Sequence, residues 1–108
     1  MAGRVNRGEI WLFHFSAPDK RRPVLVLTRT QIIPFVSTVM VAPITSAIRG
    51  APSEVLVGID EGLKRDSAVN LDRVQSVEQS SLKHFVGSVS PAKMAQVCRA
   101  LAIATGCR

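Results

Sequence analysis

The chain has 108 residues, a length that predicts one domain, over residues 1–108, with a single hydrophobic core. Apolar residues make up 46% of it, which excludes a disordered chain, and no stretch approaches the ~18 apolar residues of a membrane span. With 14 Lys and Arg against 8 Asp and Glu, the net charge of +6 favours an anionic partner: nucleic acid, an acidic protein or a membrane surface. The first residues, MAGRVNRGEIW, contain no signal-peptide hydrophobic region, so we expect a cytoplasmic protein.

Three strands are predicted in the first half of the chain, each an apolar run bounded by polar or turn residues: Gly8–Phe15, Arg22–Arg29 and Ser37–Ser46. The segment Ser16–Arg21 contains Pro and Asp and is expected to be a loop. Pro23 should fall at the start of its strand, since proline donates no ladder hydrogen bond. Between the second and third strands we expect a short helical turn that breaks near Pro34.

The second half predicts further short strands. A fourth strand is expected over Glu54–Ile59, with Asp60 as the cap of a short helical turn. The segment Ser67–Val77 forms either one bent strand or two short ones. Five to seven short strands followed by one helix predict a mainly β fold, a small, strongly bent antiparallel sheet or barrel.

The clearest helix lies at the end of the chain. Ser90 can cap it, Pro91 suits its first position and Gly106 ends it. Its predicted apolar face consists of Met94, Val97, Cys98, Leu101 and Ala102. Because no histidine pair lies near Cys98 or Cys107, we expect both to be buried or idle free thiols.

The familiar catalytic centres are absent from the sequence. His14 and His84 are isolated, without the spacing of a metal-binding motif. There is also no glycine-rich phosphate loop and no G-x-S-x-G motif. The sequence therefore predicts neither a metal site nor a cofactor.

Polar groups at the ends of strands are the remaining candidates for chemistry. Pro23 restricts Arg22 to an extended conformation, and a guanidinium held there suits a phosphate because it is planar and always charged. The hydroxyls of Thr45 and Ser46 can donate to phosphate oxygens, or simply turn the chain. Taken singly, a solvated charge and a turn are the favoured interpretations.

A second polar pair lies in the segment RDSAVNLDRV. In an alternating strand Asn70 and Asp72 share one face, which faces bases, another subunit or solvent. The chain has one Trp, four Phe and no Tyr, and we expect these rings to belong mostly to the core. Any RNA would then be held more by charge than by stacking.

Five segments, in this order, resemble the MazF/PemK (Kid) family of toxin endoribonucleases from type II toxin–antitoxin systems. They are RGEIWLFHF, KRRPVLVLT, TVMVAPITS, RDSAVNLDRVQSV and SPAKMAQVCRAL, which together span nearly the whole chain. RGEIW and RRPVLV are fairly specific when one short loop separates them, whereas APITS alone is a weak signal.

The resemblance implies an SH3-like barrel of the CcdB/Kid/MazF type with a C-terminal α-helix, working as a homodimer. It implies cleavage of single-stranded RNA, including mRNA, at short sequences without a metal, by attack of the 2′-hydroxyl on the adjacent phosphate. It also implies an acidic antitoxin that occupies the RNA groove. The charge of +6 suits both of these polyanionic partners.

The family pattern assigns roles to two residues by position. Arg22 matches the arginine of the RPV motif and would stabilise the charge that develops on the phosphate, because a guanidinium keeps its proton in proteins. Thr45 matches the threonine of the ITS motif, as a hydroxyl donor to the phosphate, with Ser46 as its neighbour. Lys20 and Arg21 would steer RNA towards Arg22.

The sequence departs from the family pattern in two places. The loop SAPDK is short, so Asp19 is the one candidate for the loop carboxylate that serves as general base in some members. In the Kid-like branch an arginine that lies two positions before an aspartate acts in catalysis. Those positions here are Asn70 and Asp72, so the aspartate is present and the arginine is absent.

Two alternative functions remain on the same fold. One is a non-catalytic toxin of the CcdB type that binds a protein target such as gyrase, although that function gives no reason to pair RRP with ITS. The other is an RNA-binding module without activity, which would bind RNA in a salt-sensitive manner and release no product.

Overall fold

The computed structural model describes residues 5–15 and 20–107. Seven strands and one helix follow in order: β1 Glu9–Phe15, β2 Lys20–Val26, β3 Thr38–Thr45, β4 Glu54–Val57, β5 Ser67–Asn70, β6 Gln75–Glu78, β7 His84–Ser88 and α1 Pro91–Thr105. Among these residues all strand pairs are antiparallel, in the order β4-β5-β3-β2-β1-β7, and β6 also pairs with β3. The prediction of a mainly β, strongly bent sheet with a C-terminal helix is confirmed.

The central strands carry core residues on both faces. Leu25 of β2 packs in one cluster with Ile10, whereas its neighbours Val24 and Val26 pack in a second cluster with Trp11. Because side chains alternate along a strand, only a continuous apolar run can fill both clusters. Each fully buried side chain of this size contributes about 1.5–3 kcal/mol, so this pair of clusters holds β1 and β2 firmly at the centre.

The curl of the sheet occurs within β3. Its first half pairs with β6, and its end pairs with β5 through Ile44 and Thr45. Pro43 lies between the two pairings, at the point where the partner changes, and this position suits a residue without a backbone N–H. Pro23 is the fourth residue of β2 instead of the first, and the β2–β3 pairing begins only at Val24. The strand therefore starts earlier than predicted.

Three short 3-10 turns refine the other predictions. The segment 67–77 forms two strands, because the turn Leu71–Arg73 separates β5 from β6. Pro34 lies inside the turn Ile33–Phe35 and does not break it, since proline is tolerated where the first N–H groups of a helix lack partners. Asp60 lies in the middle of the turn Ile59–Glu61 and does not cap it; the N–H of Gly58 instead donates to the Glu61 carboxylate at 2.6 Å.

The C-terminal helix has the predicted ends and a partly different buried face. The Lys93 N–H donates to the Ser90 hydroxyl at 3.1 Å, and Gly106, at φ 72°, ends the helix. Val97 and Ala100 are buried, whereas Cys98 is exposed. Cys107 is exposed as well, so both thiols are free but neither is buried. From the helix, the Lys93 ammonium donates to the Leu56 carbonyl of β4 at 2.9 Å.

The aromatic residues are less uniformly buried than the sequence predicted. Trp11 is 7% exposed, but Phe35 and Phe85 are 80% and 57% exposed. Phe13 and Phe15 are half-buried and contact each other edge to face, with ring centroids 4.9 Å apart. Within the described ranges, no helix has the length and the hydropathy that crossing a membrane requires.

Candidate active site

A groove of about 490 Å³ lies where β2, β3 and β5 approach one another. We call it the site groove. Its polar lining combines guanidinium, hydroxyl, amide and carboxylate groups, contributed by Arg22, Arg49, Arg73, Thr45, Asn70, Gln75 and Glu54. Phe15, Pro43 and Ala47 complete the lining. The groove therefore contains three guanidinium groups and one carboxylate.

Strand register brings these side chains to one face. Thr45 of β3 lies opposite Ala68 of β5, and Asn70, two residues further along β5, lies opposite Glu54 of β4. Residues two apart on a strand share a face, so Thr45, Asn70 and Glu54 point the same way. Two of the residues that the sequence predicted, Thr45 and Asn70, are thereby brought into one groove.

Arg22 reaches the same groove from β2. It lies opposite Phe13, and therefore on the face of the sheet that carries Phe15. Its side chain is exposed and lines the site groove together with Thr45. The structure thus places Arg22 and Thr45, which the sequence separates by 23 positions, around one volume that a phosphate could enter.

Thr45 is oriented by the backbone that follows it. Its hydroxyl oxygen accepts a hydrogen bond from the Ala47 N–H at 3.1 Å, which leaves the hydroxyl proton to donate. Thr45 is half-buried, whereas Ser46 is exposed. Ser46 lines a neighbouring groove rather than the site groove, because successive residues point to opposite sides of an extended chain.

Glu54 was not predicted from the sequence. Its Oε1 accepts hydrogen bonds from the N–H groups of Arg49 and Gly50, at 3.1 and 3.0 Å. These bonds hold the loop after β3, and Arg49 lines the site groove from that loop. The signal in the sequence is weak, since only the pairing of β4 with β5 places a glutamate at the start of β4 beside Asn70.

The predicted pairing of Asn70 with Asp72 on one face is wrong. Strand β5 ends at Asn70, whose side-chain oxygen accepts from the Asp72 N–H at 2.9 Å and caps the following turn. Asp72 turns away from the site groove and accepts a hydrogen bond from the buried Ser53 hydroxyl at 2.5 Å. The next residue, Arg73, lines the site groove instead.

The remaining predicted residues lie near the start of β2. Asp19 falls outside the described residues. Lys20 is described only as the first residue of β2, opposite Phe15. Arg21 is exposed and lies opposite His14, on the other face of the sheet from Arg22. In the described part of the chain, no three His, Cys, Asp or Glu side chains are grouped so that they could hold a metal ion.

Taken together, the curled sheet and the site groove define a small basic protein of the SH3-like barrel class, with guanidinium and hydroxyl groups arranged around a space for an anion. The sequence model described as the PemK-like, MazF-like toxin of type II toxin–antitoxin systems matches residues 6–105. The chain belongs to this toxin family.

Individual relatives agree with this assignment. The probable endoribonuclease MazF5 of Mycobacterium tuberculosis is 43% identical over 103 residues, which cover 94% of this chain and 93% of that protein. The solved structure of the Mycobacterium tuberculosis toxin MazF-mt6 is 32% identical, with a TM-score of 0.84 over 91% of this chain and 96% of that chain. An endoribonuclease from a mycobacterial species, solved in complex with its cognate antitoxin, shares the fold at 24% identity, with a TM-score of 0.85 over 96% and 97% of the two chains.

Proposed function

We propose that this chain is the toxin of a type II toxin–antitoxin pair and that it cleaves single-stranded RNA in the site groove. The observation that carries the proposal is the meeting of Arg22 and Thr45 in one groove that also contains two further arginines. A toxin that only binds a protein target has no need of this set of phosphate-binding groups. The RNA-cleaving function is therefore favoured over a CcdB-type function.

The reaction draws its nucleophile from the substrate. The 2′-hydroxyl of one nucleotide loses its proton, its oxygen attacks the adjacent phosphorus, and the bond from phosphorus to the 5′-oxygen breaks. The products are a 2′,3′-cyclic phosphate and a 5′-oxygen that takes a proton from water. Because the nucleophile belongs to the RNA, the step requires no bound cofactor.

Arg22 and Thr45 act on the phosphate. The Arg22 guanidinium donates to the phosphoryl oxygens, where negative charge accumulates in the transition state, and the Thr45 hydroxyl donates to the same group. Glu54 is the carboxylate that lines the site groove in the described part of the chain, and we assign it the 2′-hydroxyl proton. Since Oε1 accepts both backbone hydrogen bonds, Oε2 is the oxygen available for that proton.

The partners follow from the same charges. We propose that an acidic segment of a cognate antitoxin binds across the site groove and excludes RNA, because the net charge of +6 and the three arginines attract any flexible polyanion. We further propose that the chain acts as a homodimer, since a small curled sheet leaves strand edges to cover. We propose mRNA as the substrate and, with it, the cytoplasm as the compartment in which the protein acts.

The test is incubation of the purified protein with a long single-stranded RNA in EDTA. We expect discrete fragments with 5′-hydroxyl and 2′,3′-cyclic phosphate ends. A matched strand that carries 2′-deoxy nucleotides at the sites of cleavage should remain intact. Cleavage of the deoxy strand would contradict attack by the 2′-hydroxyl, and the absence of fragments from either strand would contradict the proposed function.

A further inference from the structure

Two further grooves lie near the start of β2, in addition to the site groove. The mouth groove, about 700 Å³, lies at one end of the core and contains Arg21, Arg22, Lys64 and Arg65. The His groove, about 380 Å³, contains Arg21, Lys83 and the two histidines of the chain. Arg22 lines both the site groove and the mouth groove, and Arg21 lines both the mouth groove and the His groove. The mouth groove therefore shares a side chain with each of the other two, and all three lie near the start of β2, where Arg21 and Arg22 point to opposite faces of the sheet.

The lining of the three grooves is strongly positive. Seven of the 14 Lys and Arg residues line them, namely Arg21, Arg22, Arg49, Lys64, Arg65, Arg73 and Lys83. Of the eight Asp and Glu residues, Glu54 alone appears in their described lining. Half of the Lys and Arg residues thus line the three grooves, which we together call the path, and one carboxylate lies among them. The positive electrostatic potential of such a surface attracts an extended polyanion.

The backbone fixes the far wall of the mouth groove. Gly62 has a φ of +94°, and a Cβ added there would lie 2.5 Å from the Val86 carbonyl oxygen. A Cβ added to Gly87 would lie 2.0 Å from the Glu61 carbonyl oxygen. The turn before Lys64 therefore packs backbone against backbone on β7, and this contact holds the segment that carries Lys64 and Arg65.

Planar rings lie beside the cations at both ends of the path. Phe15 lines the site groove, and His14 and His84 line the His groove. His84 lies opposite Leu12 on the neighbouring strand, so it shares a face with His14 and Arg21. Single-stranded RNA is held by cations along its backbone and by rings on which bases stack, whereas an acidic peptide has no bases to stack.

We propose that the RNA strand cut beside Arg22 continues through the mouth groove into the His groove. Arg65 and Lys83 contact phosphates there, and His14 and His84 contact bases. The inference rests on the proposed function, because the strand on the path is the strand that is cut. It adds a binding surface beyond the cleavage site, held by residues that the reaction itself does not use.

Binding of a non-cleavable 2′-O-methyl RNA to the dimer, measured at several salt concentrations, tests this proposal. Two such RNAs are compared, a long strand of about 12 nucleotides and a short strand of about 4. Both lengths fall within the range of known single-stranded binding sites. The variants are Arg65→Gln and Lys83→Gln, whose side chains are exposed in the native chain. Arg99→Gln is the matched control, because Arg99 is exposed on α1 and lines none of the three grooves. Circular dichroism checks that each variant is folded.

For the long strand we expect each groove variant to reduce the slope of log affinity against log salt by about 0.7, the value for one lost phosphate contact in a single strand. The short strand should bind all variants equally. Slopes equal to that of Arg99→Gln would overturn the proposal. A polyglutamate of equal charge provides a second test. The proposal would also be overturned if polyglutamate displaced the long strand as well as RNA does, and if the variants reduced the salt slope of polyglutamate binding by the same amount. Cleavage by the unmodified protein is measured separately, so loss of the path and loss of the proposed function are distinguishable.

Discussion

The site groove contrasts with a groove on the other side of the mouth groove. This acidic groove is lined by Asp60, Glu61 and Asp66 and by the apolar side chains of Ile48, Leu56 and Ile59. Its one cation in the described lining, Lys93, is already bonded to the Leu56 carbonyl. Ser67 lines both the acidic groove and the mouth groove and so marks the border between them.

The comparison shows that the net charge of +6 is not spread evenly over the surface. Cations and hydrogen-bond donors are concentrated along the path through the site groove, and three carboxylates lie in the acidic groove. A surface on which cations and carboxylates occupy separate regions can orient a bound polyanion. An evenly distributed positive charge would attract RNA without orienting it.

The sharpest test of the contrast compares one glutamate from each groove. Glu54→Gln keeps an oxygen that can accept from Arg49 and Gly50 but removes the base, so we expect RNA cleavage to fall by about 10²–10⁴-fold. Glu61→Gln is the matched control, since Glu61 also accepts a backbone hydrogen bond but lines the acidic groove. Single-turnover cleavage rates measured against pH provide the readout. Equal cleavage rates in the two variants would show that Glu54 takes no part in the reaction.

Arg22→Ala should have the next largest effect. Loss of one donor to the developing charge costs about 10²–10³-fold in rate. The fold should survive, because Arg22 is exposed. The same assay in EDTA, with Arg99→Ala as control, measures the effect. Wild-type cleavage by Arg22→Ala would contradict the assignment of the site groove.

Thr45→Val removes the hydroxyl at nearly constant size. A hydrogen bond to a charged group contributes about 1.5–3 kcal/mol, so cleavage should slow by about 10–100-fold. Thr45→Ser retains the donor and should retain most of the rate. If the serine variant were as slow as the valine variant, the methyl group and not the hydroxyl would be what matters.

Asp72 and Arg73 separate a structural role from a binding role within one turn. Asp72→Ala leaves the buried Ser53 hydroxyl without its acceptor, and this should lower the free energy of unfolding by about 1–3 kcal/mol. Arg73→Ala should leave that free energy nearly unchanged and weaken RNA binding. Urea unfolding and RNA titration of both variants test this assignment of roles. A lower free energy of unfolding for Arg73→Ala than for Asp72→Ala would contradict it.

The smallest effect is expected at Asp60. The Asp60→Asn change removes a charge from the acidic groove, which adjoins the path only at its border, and salt weakens interactions between exposed charges beyond about 10 Å. Cleavage should therefore stay within about twofold of the wild type. A large increase in RNA affinity would show that the acidic groove acts on RNA directly, and the separation of the two grooves would then be incomplete.

The sequence allowed prediction of features that depend on a few adjacent residues. The buried apolar run of β2 after Arg22, the threonine at the end of β3 and the helix between Ser90 and Gly106 are each signalled locally. Glu54, Arg49 and Arg73 were missed because strand register and a turn, rather than sequence spacing, bring them to the site groove.

The predicted alternation of Asn70 and Asp72 failed for a related reason. A 3-10 turn has about three residues per turn, so it replaces the two-residue repeat of a strand directly after Asn70. The inclusion of Cys98 in the apolar helix face failed because the helix packs on the core through Val97 and Ala100, flanked by Met94, Leu101 and Ala104, and Cys98 lies outside this stripe. Helical spacing gives the periodicity of a face but not its width.

The bond from Lys93 to the Leu56 carbonyl bears on how the protein behaves at high concentration. Strand β4 stands at one end of the sheet order, and Leu56 is 59% exposed there, so this edge could recruit a strand from another molecule. An ammonium bonded to an edge carbonyl occupies one acceptor that such a strand would need and places a charge in its way. The bond from α1 therefore leaves this edge with one acceptor fewer for pairing with a second molecule.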